Sequence, residues 1–584
     1  MKQILSTVWK ADKKNFLLIL FLNICAAFMG SISIVMLIPM LDFLEVSVDG
    51  GGAMGFLLQP FQKMTDTERA VVIIAIFVGL MLVRALLNAI VAVRQNAYLE
   101  RYDLSLRKNV YDAIGVANWE TLSEKNSAEL IQLITMQCIQ ARTCLQLTIS
   151  IIASAFSALL QLAIALWMSW PVTLVALAVG ASFLFLFRPF SKRSKEYGRK
   201  MVEANRELHG EIQNQLNSIK EIRAYGVEDR HSELFEEISK KHYDVSLRTT
   251  QLRVIPQFCY SAASAVLIAL AFVFSVLVMD TGTAQLVVLV YVFAKLWPVF
   301  SSWQGQLQNL NACLPSFEII RTSVEELKTG TREPEAKNEA LEFCSQVAFD
   351  NVGFTYQNGD EEVLQGVNFT LPCGSVTALV GPSGAGKSTT ADLLLGLLHP
   401  TRGQILVDDK VLDAKTLGAW RKAIGYIPQE PLIINATVRE NLLRFHPEAT
   451  EEEMIDALKR SLAWPFIEKL PKGLDTVLGD KGVRLSGGER QRVVLARVLM
   501  GKPRFIILDE ATSALDYESE SFIRETIRSL RQQTTVLLIA HRMATIRGAD
   551  RAIVLLGGKI AEQGTLEELL QKEDGYLAKM DSVE

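Results

Sequence analysis

The sequence predicts two parts of unlike physical character. The first is an all-α membrane domain of six transmembrane helices with long cytosolic extensions; the second is an α/β domain built on a phosphate-binding loop. Three observations predict this. Long apolar runs alternate with charged stretches up to about Arg321, whereas from Leu341 the chain reads as an ordinary soluble α/β domain. Gly381–Thr389 reads GPSGAGKST and matches GxxxxGK[ST]. Hydrophobic residues make up 49% of the 584 and charged residues 21%, an average of two dissimilar halves.

A helix needs about 20 mostly apolar residues to cross the hydrocarbon layer. Candidate spans are Phe16–Leu41, Ala70–Val93, Leu147–Met168, Val172–Phe187, Pro256–Val278 and Ala284–Ser302. The third and fourth are separated only by Ser169, Trp170 and Pro171, a tight hairpin. Basic residues stay on the cytosolic side. They precede span one, fill the segments between spans two and three and between four and five, and crowd the exit of span four at Arg188, Lys192, Arg193, Lys195, Arg199 and Lys200. The Asp42–Arg69 loop instead carries Asp42, Glu45, Asp49, Asp66 and Glu68 against Lys63 and Arg69. Both termini and the α/β domain are therefore expected in the cytosol. The two long cytosolic connections, roughly 94–146 and 188–255, keep apolar residues at helical spacing, as at Leu104, Val110, Tyr111 and Ile114. They should extend the spanning helices, with tips near Trp119–Leu130 and Ala224–Asp229 as docking points for the α/β domain.

Two cations fall inside spans, Arg84 in span two and Lys295 in span six, and no Asp or Glu lies in any of the six. A charge at membrane depth costs about 2.5–3.5 kcal/mol on insertion scales, so it faces a wet cavity, snorkels or bonds to backbone carbonyls. The first option gives a cationic cavity for an anionic group, with Asn88, Asn23 and Gln161 as further lining; single polar residues also serve as contacts between helices.

In the second half, Ser375–Val380 reads as a buried strand, Gly381–Gly386 as a loop and Lys387–Leu398 as an amphipathic helix. That context is what the phosphate-loop motif requires. Backbone N–H groups of Gly381, Pro382's neighbours Ser383 and Gly384, Ala385 and Gly386 converge on phosphate oxygens at a helix N-terminus. Lys387 neutralises the β- and γ-phosphates, the Ser388 hydroxyl reaches Mg²⁺, and Thr389 follows in the first turn. Phe505–Leu508 is a second buried strand, ending in Asp509, a Mg²⁺ ligand, and Glu510, a base for the attacking water.

Leu485–Glu489 (LSGGE), Glu510, Ser513–Asp516 and His541 resemble the nucleotide-binding domain of the ABC transporters. The whole layout, six spans followed by one such domain with its helical subdomain, resembles an exporter-type half-transporter. The resemblance implies that Ser486, Gly487 and Gly488 bind the γ-phosphate of ATP held by an opposite protomer. It implies that Tyr356 stacks on adenine, that Gln429 links Mg²⁺ and water to the membrane domain, and that His541 is the γ-phosphate switch. Asp516 joins the nucleotide contacts. Thr476–Gly482 (TVLGDKG) resembles the exporter stretch that touches the cytosolic helices. Glu489 departs from the family, where Gln is commonest; it opens a helix, where a carboxylate is favourable.

Since the signature serves the partner's ATP, two chains must assemble, and the absence of a degraded motif favours a homodimer. The expected domains are 1–325 (transmembrane), 326–344 (linker) and 345–584 (ABC ATPase), with ATP and Mg²⁺ as ligands and the lipid bilayer as surroundings. A net charge of −4 argues against a nucleic acid partner. Seven cysteines show no CxxC pair or zinc spacing and read as free thiols. The stretch Leu82–Glu129, with RALLNA and SEKNSAEL, resembles bacterial lipid-linked oligosaccharide flippases. An amphipathic, anionic, lipid-linked substrate moved across a bacterial inner membrane is the expected function. Export of a peptide or hydrophobic drug-like compound fits the same machinery. A non-transporting, ATP-gated membrane regulator is the alternative of another class, and intact Glu510 and His541 speak against it.

Overall fold

The computed structural model describes residues 12–35, 65–168, 188–278, 283–329, 341–509 and 533–583, apart from 342, 358 and 360 and with a few isolated residues between the segments. Two compact units emerge: residues up to Ala117 with Glu124–Gly330, and Asn118–Ser123 with Thr331–Glu584.

The first unit is helical. It contains α1 (Lys13–Val35), α2 (Asp66–Val116), then, past α3 (Trp119–Glu124), α4 (Ser127–Gln132), a π-helical turn (Leu133–Gln137), α5 (Cys138–Met168), α6 (Arg188–Asn217), α7 (Ile219–Tyr225), α8 (Glu228–Val278) and α9 (Thr283–Thr329). At 51 residues, α2 is about 75 Å long, more than twice the hydrocarbon thickness. It therefore continues from span two straight into the charged connection that follows, as the helical spacing predicts. Large apolar side chains on its first half, among them Val71, Leu82, Leu86 and Val93, are exposed. Exposure of that extent is a surface made for lipid or a partner. By length and hydropathy, 67–116 and 127–163 are the two described stretches able to cross a membrane. Span one lies on α1 as far as Val35, spans five and six lie on α8 and α9, and span four and the Asp42–Met64 part of the outer loop fall outside the described residues.

Beyond the spans the helices bundle around a core to which Tyr102 and Val110 of α2, Cys138 and Leu145 of α5, and Phe317 and Ile320 of α9 contribute. Exposed and half-exposed ion pairs fasten the outside: Arg142–Glu100 at 2.8 Å, Lys195–Glu318 at 2.9 Å and Arg206–Glu129 at 2.8 Å.

The second unit holds two sheets. β1 (Gln346–Phe354), β2 (Leu364–Pro372), β4 (Arg402–Val407) and β5 (Lys410–Val411) form an antiparallel sheet in the order β2-β1-β4-β5. The other runs β10-β9-β3-β8-β7-β6, from β3 (Val376–Val380), β6 (Ile424–Ile427), β7 (Phe505–Asp509), β8 (Thr535–Ile539), β9 (Arg551–Leu556) and β10 (Lys559–Thr565). Its β9-β3-β8-β7-β6 portion is parallel. β3 and β8 are buried along their whole length, which is why they read as unbroken apolar runs. The helices are α10 (Lys387–Leu394), α11 (Leu417–Ala423), α12 (Val438–Leu443), α13 (Glu451–Arg460), α14 (Trp464–Ile467), α15 (Gly487–Met500), α16 (Met543–Ile546), α17 (Leu566–Leu570) and α18 (Tyr576–Val583).

One expected boundary is corrected. α10 stops at Leu394, not Leu398. The chain turns at Gly396, φ +63, where the Leu397 amide donates back to the Asp392 carbonyl at 2.9 Å, and the Trp420 indole takes the Leu394 carbonyl (2.6 Å). Leu397 and Leu398 still bury apolar surface, but in the turn that follows.

Candidate nucleotide site

Parallel pairing sets the site. In an open α/β sheet, ligands gather beyond the carboxyl ends of the strands. Here four neighbouring strands deliver a candidate group at that edge. β3 runs into the Gly381–Gly386 loop, β8 is followed by His541, β7 ends on Asp509, and β6 is followed by Gln429. Positions spread over 160 residues of sequence are thus brought to one edge by topology alone.

The loop has the geometry of a phosphate cradle. Gly386 sits at φ +103, and a Cβ there would meet Leu364 Cδ2 at 2.7 Å, so both conformation and space exclude a side chain. Lys387 is buried at 6% exposure, and its ammonium donates to the carbonyls of Gly381 and Pro382, both at 2.9 Å. Those bonds hold the loop closed around the lysine. Ser388 is exposed beside it, and Thr390 caps back onto Gly386 at 2.9 Å. Tyr356 reaches the same helix: its hydroxyl lies 3.1 Å from Thr389 Oγ1, and its ring sits edge-on to Phe354 at 4.9 Å. The ring is partly exposed, as a stacking platform must be.

At the end of β7, Asp509 accepts a hydrogen bond from the Tyr426 hydroxyl at 3.3 Å. Burial first, and then the Asp509 carboxylate, push the Tyr426 phenol well above its usual range, so it stays a donor. Nearby, Asp392 of α10 is pushed up to about 6, by burial first and by Asp509 second, while a hydrogen bond with the Trp119 side chain pulls the other way. The helix α10 packs beside β7, which places these acids in one neighbourhood. Exposed Ser388 and the Asp509 carboxylate are hard oxygen donors, the set that suits Mg²⁺.

Ser486 opens α15 as its N-cap. Its side chain accepts from the Glu489 amide at 3.3 Å, and the Glu489 carboxylate accepts from the Ser486 amide at 2.7 Å. This is a capping box. Gly488 is buried, Gly487 half-buried, and Arg490 donates to the Leu485 carbonyl at 2.9 Å, fixing the turn before the helix.

The chain matches the family described as ABC transporter over residues 364–513 and that described as ABC transporter transmembrane region over 16–299. It is 34% identical over 429 residues to the "ATP-dependent lipid A-core flippase 1" of Colwellia psychrerythraea, covering 70% of each chain. The chain belongs to the ABC transporters. This transporter is also 31% identical over 480 residues to the "Heterocyst differentiation ATP-binding protein HepA" of Nostoc, with 80% and 77% of the two chains covered. A solved structure of a bacterial Atm1-family ABC exporter with ATP bound superposes with a TM-score of 0.81 at 25% identity, covering 97% of this chain and 98% of that one. The transporter is therefore a half-transporter of exporter fold, with an ATP-hydrolysing domain fused behind its membrane region.

Of the predicted site residues, Gln429, Asp509, His541 and Gly381–Thr389 lie along the carboxyl edge or directly on it, and Tyr356 joins them through Thr389. Ser486, Gly487 and Gly488 form their own helix start, with the recorded bonds of Ser486 internal to it. Glu510 and Asp516 lie outside the described residues. Arg84 is half-buried and Asn88 exposed, one turn apart on α2; Lys295 belongs to α9, in a stretch whose side chains are outside the described ones. Sequence reasoning missed Tyr426 and Asp392. Neither belongs to a motif, and the register of β6 on β7 (Tyr426 opposite Ile507) is what brings the phenol to Asp509.

Proposed function

We propose that two copies of this chain form a homodimer that uses Mg²⁺ and ATP to flip an anionic, lipid-linked amphiphile across a bacterial inner membrane. The observation that carries the substrate class is the set of relatives: several at 30–34% identity over 70–82% of this chain are lipid A-core flippases. Arg84, half-buried in the apolar part of α2, supplies a charge suited to an anionic headgroup. Asn88 and Lys295 complete that proposed cavity.

In this reading, residues 1–325 form the transmembrane domain, 326–344 a linker and 345–584 the ATPase, with both termini cytosolic. Asp509, Ser388 and Gln429 would hold Mg²⁺, which supplies charge neutralisation at the phosphates. Lys387 and the loop amides bind the β- and γ-phosphates, and Tyr356 carries the adenine. Glu510 takes a proton from the attacking water, and His541 holds the γ-phosphate. Ser486, Gly487 and Gly488 serve the nucleotide of the other protomer, and Asp516 joins the nucleotide contacts. ATP then binds the closed pair more tightly than the open pair, and this difference is what drives the switch.

The test is ATPase activity of the purified protein in lipid, with Glu510→Gln as the blank. Stimulation by a lipid-linked saccharide pyrophosphate that is lost in Arg84→Ala supports the reading. Stimulation by peptides or hydrophobic cations instead, indifferent to Arg84→Ala, overturns it in favour of a peptide or drug exporter.

A further inference from the structure

An open groove runs between α1 and α2, lined by Asn15, Leu18 and Ile19 on one side and by Arg94, Tyr98 and Arg101 on the other. Its level is fixed by sequence. The apolar run of α1 begins at Phe16, just after Lys13 and Lys14, and that of α2 ends at Val93, just before Arg94. The groove therefore straddles the boundary between hydrocarbon and water on the side of the basic loops. Ile19 and Tyr98 are buried and make its floor.

Arg94 and Arg101 are seven residues apart, two turns on one face of α2, which spaces them by about 10 Å. Both are exposed. Several other cations of this unit are paired: Arg107 with Asp103 on the same helix, Arg142 with Glu100, Lys195 with Glu318 and Arg206 with Glu129. Among the described residues, Arg94 and Arg101 make no hydrogen bond or ion pair. The carboxylate facing Arg101 is Asp12, and both its oxygens are engaged by Asn15, from the backbone amide at 3.2 Å and the side-chain amide at 2.7 Å. Towards the hydrocarbon, Leu18, Phe21 and Phe28 stand exposed along α1. Two unpaired guanidinium groups thus lie at the foot of an apolar track.

We propose that this groove binds the phosphate-bearing headgroup of an anionic phospholipid, with Arg94 and Arg101 on the phosphate oxygens and an acyl chain along Leu18 and Phe21. Basic pockets between spanning helices at the cytosolic boundary take such headgroups, and the guanidinium fork matches phosphate oxygens. The site is separate from the proposed substrate cavity, since Arg84 lies ten residues further into the span.

The test uses the full-length protein in detergent and phosphatidylglycerol as the probe, counting bound lipids by native mass spectrometry against phosphatidylcholine. Arg94→Gln/Arg101→Gln should retain phosphatidylglycerol about 10-fold or more weakly, as two lost cations at a headgroup imply. Arg94→Lys/Arg101→Lys and the control Lys192→Gln/Arg193→Gln should retain it, with basal ATP hydrolysis kept in all. Equal retention in the double Gln variant overturns the proposal. So does displacement of the lipid by free glycerol phosphate at similar concentration, which would make the groove a site for phosphate rather than for lipid. A second measurement needs no variant: a photoactivatable phosphatidylglycerol should label wild-type protein within residues 12–21 or 94–101, and labelling confined elsewhere contradicts the assignment.

Discussion

Ser486 and Glu489 hold each other's backbone amides across the first turn of α15. The serine that should meet the partner's γ-phosphate is thereby oriented by a carboxylate, at the one signature position that departs from the family. The box satisfies two orphan amides at the helix start. It also sets a negative charge beside the place where phosphate is expected. Glu489→Gln keeps the reciprocal bonds and removes that charge, so it should lower the KM for ATP by about 3-fold, the scale of a 0.3–1 kcal/mol charge effect at a helix end. Glu489→Ala should instead cost about 1 kcal/mol of domain stability. Steady-state ATPase kinetics and thermal melts of the two variants check both signs.

The second relationship concerns the metal. Tyr426→Phe removes the donor to Asp509 while leaving the buried ring. A hydrogen bond to a charged group contributes about 1.5–3 kcal/mol, and at 3.3 Å this one belongs near the low end. The expected result is an increased Mg²⁺ requirement, about 10-fold, with unchanged protein yield. A magnesium titration of ATP hydrolysis reads it directly; an unaltered titration would mean that Asp509 is positioned by its strand alone.

Trp119 makes a third. Residues 118–123 group with the ATPase unit, and the Trp119 side chain hydrogen-bonds Asp392 of α10. Trp119→Phe keeps the ring and deletes the N–H. Stimulation of ATPase by transported substrate should fall several-fold, on the order of one lost charge-assisted bond, while basal hydrolysis holds. Comparing stimulated with basal rates in the same preparation separates this outcome from general damage.

Packing of the helical unit gives a stability prediction. Gly198 of α6 lies against α9 so closely that a Cβ would sit 2.3 Å from the Ala312 carbonyl oxygen. Gly198→Val must push the helices apart, and such overpacking costs about 1–3 kcal/mol. A lower melting temperature in detergent, with ATP binding to the soluble domain unchanged, is the expected result.

Much of the site was legible because its motifs sit at strand ends, where an apolar run stops at a charged or glycine residue: Val380 before Gly381, Leu508 before Asp509. Helix start signals carry comparable information. The Ser486-x-x-Glu489 spacing is a capping box on its face, and Glu489, a departure from the family's usual Gln, is half of it. Tyr426 was not legible, because its role depends on which strand β6 pairs with and in what register. Asp392 was hidden likewise, since its neighbours Trp119 and Asp509 come from distant segments. Leu397 and Leu398 continue the apolar pattern past the end of α10, which is set instead by Gly396 at φ +63 and the Leu397 amide bonding back to the Asp392 carbonyl.

The central claim is that ATP hydrolysis by this chain moves an anionic lipid-linked molecule between leaflets. The most direct measurement is the ATP-dependent transfer of a fluorescent lipid-linked saccharide pyrophosphate in proteoliposomes, scored by quenching from one side. Wild-type protein should move the lipid only with Mg²⁺ and ATP, and Glu510→Gln should not move it. Hydrolysis at full rate with no movement of the lipid, or movement that persists in Glu510→Gln, would contradict the account.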